Sequence, residues 1–287
     1  MKRLILVLSI MLGACSQTIQ EVQTESPQSL SDAPVVTEPV VVDTTTDTEI
    51  PPVVSALPSG PVTLVALGDS LTAGDGDDAG LGYPGRLLDM VNSVRPDSTL
   101  VNLGQSGWSS DALINGDQGL ESQLTRAVAE VTSAVSQGRN PVALVWIGSN
   151  DLWYLYEYGD GSDENDQIDA DRFSANLEVI LGRLTDAGAR VVIAMLDDQT
   201  KRPVAIQGEA FVSITPDEMN RMSSHVNWYN EIIAQKAMQH GALTVSFFGT
   251  DIFTNPDTLY YDGNHPNQAG YDIIAQMWFD VLSRMLQ

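Results

Sequence analysis

The chain has 287 residues, with 14 Lys and Arg against 38 Asp and Glu and a formal net charge of -24. That excess of acid repels a phosphate backbone and an anionic bilayer surface alike, which argues against nucleic acid as a partner. The single cysteine has no second thiol with which to form an internal disulfide.

Met1, Lys2 and Arg3 precede an apolar run at residues 4–12. This is the basic start and short core of an export signal, too short to span a bilayer as a helix. The run ends in Leu12-Gly13-Ala14-Cys15, which resembles the lipobox of bacterial lipoproteins. The resemblance implies a signal peptide over 1–15 and acylation of Cys15; an ordinary cleaved signal is the alternative. Residues 16–60 hold no Lys or Arg and are dominated by Ser, Thr, Pro and acids. Such a segment buries too little apolar surface to offset its ordering entropy, so 16–60 is read as a disordered tether. A flexible chain of that length spans roughly 35–40 Å. The remainder, 61–287, is read as one domain.

That domain opens on an apolar run, 62–67, closed by Gly68, Asp69 and Ser70. A continuous run of β-formers reads as a strand buried on both faces, and Ser70 stands at its exit. Residues 72–80, rich in Gly and Asp, read as a solvated acidic loop without the alternating ligand spacing of an EF-hand. Leu87, Leu88, Val91 and Val94 recur at helical spacing, and a second strand, 98–103, leads into Gly104 to Trp108. Leu124, Val128, Val131 and Val135 mark the next helical face, and a third strand, 142–147, ends in Gly148-Ser149-Asn150-Asp151. Tyr154 to Asp171, aromatic and then acidic, reads as an irregular excursion at the sheet edge, either part of a substrate wall or lid or mere ornament.

Phe173, Leu177, Ile180 and Leu184 predict a helix closed by Gly188, followed by a fourth strand at 190–196. Asp197 to Ile214 is irregular and a second candidate lid. Thr215-Pro216-Asp217-Glu218 is a capping box with Pro at the first helical position, opening a helix that runs to about His240. A fifth strand, 243–248, precedes Asp262-Gly263-Asn264-His265-Pro266 and a last helix with Ile273, Ile274, Met277, Val281 and Met285. Strands alternating with helices predict a three-layer α/β/α domain around a five-stranded parallel sheet, since parallel strands need right-handed crossovers.

In such sheets ligands collect at the carboxyl ends of the strands, which makes Ser70 a candidate nucleophile. Of the three histidines, His225 lies within the capped helix and His240 at its end, where the helix dipole accounts for it. His265 is left in a loop at the edge that Ser70 shares. Asp262, three residues earlier, can turn back to hold one imidazole nitrogen while the other faces Ser70; its alternative is a plain turn residue. The backbone N–H groups of Ser70 and Gly107 and the side-chain amide of Asn150 are candidate oxyanion donors, with a turn and a loop cap as the alternatives for the last two. No Gly-x-Ser-x-Gly, His-Glu-x-x-His or cysteine cluster occurs, so neither an α/β-hydrolase elbow nor a zinc site is expected.

Gly68-Asp69-Ser70-Leu71, Asn102 to Gly107, Gly148-Ser149-Asn150-Asp151 and Asp262-Gly263-Asn264-His265-Pro266 resemble, in order, the four signature blocks of the SGNH (GDSL) hydrolases. The resemblance implies a flavodoxin-like sheet of order 2-1-3-4-5 and a serine esterase without metal or cofactor. It also implies Ser70, Asp262 and His265 as catalytic triad, with Ser70, Gly107 and Asn150 as oxyanion hole. Substrates are expected to be short-chain acyl esters, thioesters or lysophospholipid-like esters, or else O-acetyl groups on polysaccharide or peptidoglycan. A catalytically silent binding lipoprotein is the alternative of another class. Trp108 follows Gly107 where many relatives carry an acid, and either shapes the substrate pocket or simply packs. The leader implies an exported protein held to the cell envelope only through its N-terminal lipid.

Overall fold

Strand β1, Val62–Gly68, is buried at every position, and both of its edges are paired. On one side lies β2, Thr99–Asn102, and on the other β3, Asn140–Trp146, both parallel to it. The computed structural model describes residues 55–159, 162–210 and 214–287. β4, Arg190–Met195, pairs with β3, and β5, Leu243–Ser246, with β4, so the sheet is all parallel in the order 2-1-3-4-5. Val, Leu and Ala fill β1 and β3 because a parallel sheet is covered by helices on both faces. The signal segment, Cys15 and the tether up to residue 54 lie outside the described residues.

Helices α1, Ser70–Ala73, and α2, Gly82–Val94, follow β1, and α3, Ser110–Asn115, and α4, Gln123–Ser136, follow β2. α5, Ser149–Tyr158, and α6, Asp163–Asp186, follow β3. After β4 come the short α7, Pro203–Ile206, and α8, Pro216–Gln239, and α9, Gln268–Leu286, closes the chain. α2 packs on α9, while α4, α6 and α8 form a second row, which yields the three layers. Thr215 and Glu218 form the expected capping box on α8. Among the described residues no helix is long and apolar enough to cross a membrane.

Several local expectations are corrected. Residues 154–158 and 163–171 are helical, not an irregular excursion: they complete α5 and open α6, with Asp163, Glu164 and Asp166 in the first turn where acids suit the helix dipole. On α4 the buried stripe is Leu124, Ala127, Val131 and Ala134, and Val135 is 47% exposed, because sheet contact admits the small alanines closest. On α9 the buried stripe runs through Tyr271, Ile274, Ala275, Trp278, Leu282 and Met285, and Ile273 faces outward. Asp77 is not a solvated loop acid. It is buried, forms an ion pair with Arg86 at 2.5 Å, and accepts from the N–H groups of Ala79, Leu81 and Gly82. Burial pushes its carboxyl up, but Arg86 and those N–H groups outweigh this and hold it down at about 2.

Residues 55–60, which composition assigns to the tether, lie against the domain. Leu57 is buried and its N–H donates to Met285 O at 2.8 Å, while Arg95 donates to the carbonyls of Pro58 and Gly60. Beneath the carboxyl edge of the sheet sits an aromatic floor. Trp146 stacks on Phe247 at 4.2 Å and Tyr83 on Trp278 at 5.1 Å, with Phe253 edge-on to Trp146. Such pairs contribute about 0.5–1.5 kcal/mol each beyond area burial and give the strand ends a stiff base.

Candidate active site

Gly68 ends β1 where only a glycine fits: a Cβ there would lie 2.2 Å from Trp146 O and 2.3 Å from Thr72 Oγ1. Gln123 from α4 clasps the same peptide, accepting from Gly68 N–H and donating to Gly68 O, each at 2.9 Å. The chain then turns at Asp69, whose Oδ1 caps α1 by accepting from Leu71 N–H at 3.0 Å. Ser70 is the first residue of that helix and is half-buried at the strand end.

The loop after β5 brings His265 to it. His265 Nε2 lies 2.9 Å from Ser70 Oγ, and His265 Nδ1 lies 2.7 Å from Asp262 Oδ2. Asp262 Oδ1 also accepts from the N–H groups of Asn264 and His265, at 2.9 and 3.0 Å. Burial pushes the Asp262 carboxyl up, but the His265 ring and these two N–H groups outweigh it and hold the carboxyl below its ordinary range. An ionised Asp262 accepts the Nδ1 proton, leaving the Nε2 lone pair to accept from the Ser70 hydroxyl. The loop is braced by Tyr260 N–H to His265 O at 2.8 Å, by the Leu259–Pro266 bridge and by Val204 N–H to Gly263 O at 3.1 Å.

The three candidate oxyanion donors come from three strand ends. Neither Ser70 N–H nor Gly107 N–H has an acceptor among the described residues. Gly107 sits at φ +77, a conformation that side chains disfavour. Two groups of α5 hold its loop: Tyr154 Oη donates to Gly107 O at 2.7 Å, and Asn150 Nδ2 to Trp108 O at 3.0 Å. One N–H of the Asn150 amide is thus engaged, and the same nitrogen lies 3.5 Å from Asp69 Oδ2. Trp108 itself is buried, so packing accounts for its side chain.

Asp69 is fully buried, and that burial pushes its carboxyl up to about 7 against the pull of Leu71 N–H and the Arg202 guanidinium. Asp151 is buried as well; desolvation raises it to about 6, while the Ser110 hydroxyl and N–H, 2.5 and 2.9 Å away, pull it down. Its bonds to Ser110 tie α5 to α3.

Sequence reasoning gave no role at the site to Gln123, Arg202 or Asn264, and read Tyr154 only as part of a candidate substrate wall. Arg202, in the irregular stretch after β4, is buried, pairs with Asp197 through two bonds of 2.7 and 2.9 Å, and donates to Asn264 Oδ1 at 2.8 Å. Nothing in local composition announces partners that are far away in the chain. His225 and His240 lie away from Ser70: the first bonds Tyr156 Oη at 2.7 Å, and the second faces Glu178.

Ser70, Asn150, Asp262 and His265 are each partly exposed at this edge. Among the described residues no group of three or more His, Cys, Asp or Glu side chains is arranged to hold a metal ion.

Several solved structures share this fold. LAE5, an alpha/beta hydrolase enzyme from the metagenome of Lake Arreo, Spain, is similar with a TM-score of 0.54 at 19% identity, over 79% of this chain and 97% of that one. The psychrotrophic esterase EstA from Pseudoalteromonas sp. gives 0.53 at 20% identity, over 78% and 98%. Axe2, an acetylxylan esterase from Geobacillus stearothermophilus, gives 0.52 at 18% identity, over 78% and 95%. No curated protein matches the sequence. The model of the GDSL-like lipase/acylhydrolase family, however, matches residues 66–273, from within the strand that leads to Ser70 to beyond the loop that carries His265. On that match the chain belongs to the GDSL-like lipase/acylhydrolase family and is a carboxylic-ester hydrolase.

Proposed function

We propose that the protein is an exported, lipid-anchored serine esterase that cleaves short-chain carboxylic esters through an acyl-serine. The observation that carries this reading is the continuous chain from Ser70 Oγ through His265 to Asp262, at 2.9 and 2.7 Å. In the first half-reaction His265 Nε2 takes the Ser70 proton as Oγ bonds to the acyl carbon. The tetrahedral intermediate carries its charge on the former carbonyl oxygen, toward which the N–H groups of Ser70 and Gly107 and the Asn150 amide donate. The ester C–O bond then breaks, its electron pair stays on the alcohol oxygen, and the proton on Nε2 passes to that oxygen. Water repeats the sequence: it loses a proton to Nε2 as it bonds to the acyl carbon, the C–Oγ bond then breaks with its electron pair left on Oγ, the Nε2 proton passes to Oγ, and the carboxylic acid leaves.

The test is hydrolysis of 4-nitrophenyl acetate by the purified protein. Ser70→Ala and His265→Ala should each remove nearly all turnover, and the double variant should lose little more, because triad members act as a unit. Unchanged turnover in folded Ser70→Ala would refute the assignment.

A second reading, removal of O-acetyl groups from a glycan, is favoured by Tyr261, 89% exposed beside Asp262. The likeness to an acetylxylan esterase agrees with it. Acetate release from acetylated xylan and peptidoglycan separates the two. Export and anchoring are supported by the basic start, the run 4–12 and Cys15. Cys15→Ser should move the protein out of the membrane fraction with activity intact, and wild-type protein recovered wholly soluble would reject the anchor.

A further inference from the structure

The amide of Asn264 points at the reacting atoms, and its orientation is forced. Arg202 has only N–H donors, so the atom that faces it at 2.8 Å must be Asn264 Oδ1. The guanidinium cannot swing away, since it is buried, bonded twice to Asp197, and seated over the Phe253 ring at 4.6 Å. The Asn264 main chain is fixed too, by its N–H on Asp262 Oδ1 at 2.9 Å. Asn264 Nδ2 is thereby turned toward His265 Nε2, 3.5 Å away.

That contact is not a working hydrogen bond. The Nε2 lone pair already receives the Ser70 hydroxyl at 2.9 Å, and 3.5 Å is long for N–H donation. Among the described residues Asn264 Nδ2 has no other acceptor. Two nitrogens at that separation can both reach a single oxygen at about 2.9 Å from each. In acylation one substrate oxygen must sit within hydrogen-bond reach of Nε2: the alcohol oxygen that receives its proton as the C–O bond breaks.

We propose that Asn264 is a further catalytic residue, whose Nδ2–H donates to the leaving alcohol oxygen while His265 protonates it. The charge that gathers on that oxygen as the bond breaks is then met by two donors, one giving up its proton and one keeping it. The same position suits the water that attacks the acyl-serine, whose oxygen approaches Nε2 along the same line. A basic alkoxide leaving group gains most from this donor, and a nitrophenolate, which departs readily unaided, gains least. The inference rests on the assignment of Ser70 and His265 under the proposed function.

The test is kcat/KM for Asn264→Ala and Asn264→Leu on 4-nitrophenyl, phenyl and ethyl acetate, which share an acyl group and differ in the leaving oxygen. Leucine keeps the bulk without the donor, so agreement between the two variants sets packing aside. The expected result is a loss of roughly 10–100-fold on ethyl acetate, within what a single oxyanion-type donor contributes, a smaller loss on phenyl acetate, and a fall of under about threefold on 4-nitrophenyl acetate. An equal loss on all three esters, or none on any, overturns the proposal. Ser70→Ala run beside them separates the levels: an active Ser70→Ala sinks the underlying site, whereas an inactive one with an even loss in the Asn264 variants sinks this inference alone.

Discussion

Replacing Asp69 by asparagine is expected to stabilise the protein more at alkaline than at acidic pH. The carboxyl lies 1% exposed beneath the strand end, and burial pushes it from its ordinary 3.8 up to about 7. Folding therefore takes up a proton between these values, and stability falls as pH rises through that window. Integrating the linkage relation, the loss carried by this one group is roughly 2 kcal/mol by pH 5 and roughly 4 kcal/mol by pH 8. The difference, on the order of 2–3 kcal/mol, is what Asp69→Asn should remove. The amide keeps Oδ1 for Leu71 N–H but places an NH2 near Asn150 Nδ2, a cost that does not depend on pH. Asp151, raised to about 6, gives wild type a slope of the same sign; it is present in both proteins, so most of its contribution cancels, and its repulsion of Asp69 is a lesser cause than burial. Urea unfolding of both proteins at the two pH values measures the quantity directly. The stability of the variant minus that of wild type should grow by about 2–3 kcal/mol from pH 5 to pH 8, and a gap that stays constant within error would show that Asp69 is not held protonated in the fold.

Asn150→Ala should lower kcat by about 10²–10³ with little change in KM, because its amide serves charge that develops only after attack; a pure KM effect would make it a substrate-binding residue. Asp77→Ala should cost about 3–5 kcal/mol in thermal or urea unfolding, since it strips a buried Arg86 of its buried charged partner and leaves only Asp272, 61% exposed, and the Gly82 carbonyl. A loss below about 1 kcal/mol would mean that Asp272 alone satisfies the guanidinium. Across 4-nitrophenyl esters, kcat/KM should fall from acetyl and butyryl toward decanoyl. Segments such as 72–80 and 109–118, rich in Gly, Asp, Ser and Asn, return little of the roughly 0.8 kcal/mol available per buried methylene. An optimum at eight carbons or more would point instead to Tyr154, which reaches Gly107 O, as part of a chain-binding wall.

The parts of this protein legible in its sequence are those whose cause is local. The buried runs of β1 and β3 read as strands under helices because they are short, β-forming and, but for Thr63, apolar from 62 to 67 and from 142 to 147, each closed by a glycine. The capping box at Thr215 is complete within four residues, and it formed. Alternation of strand and helix leaves little choice but a parallel sheet, and the order 2-1-3-4-5 came from the family resemblance rather than from any pattern in the residues. Ser70, Gly107, Asn150, Asp262 and His265 could be singled out because each follows a strand of a parallel sheet, and such strands all end at one edge.

What only the tertiary structure decided depends on partners distant in the chain. Residues 163–171 read as an acidic loop because few apolar positions mark them, yet the N-terminal dipole of α6 and the cap at Ser162 carry them as helix. Which of two adjacent apolar residues faces the sheet, Ile273 or Ile274, was fixed by the fit of α9 against α2 and β5. Asp77 is a buried ion-pair partner instead of a solvated acid only because α2 brings Arg86 over it. The turn of the Asn264 amide needs Arg202, 62 residues away in sequence, and the hold on Gly107 needs Tyr154, 47 residues away. Local sequence fixes backbone preference and burial pattern, whereas the direction of a polar side chain is set by whichever donor or acceptor the fold places opposite it.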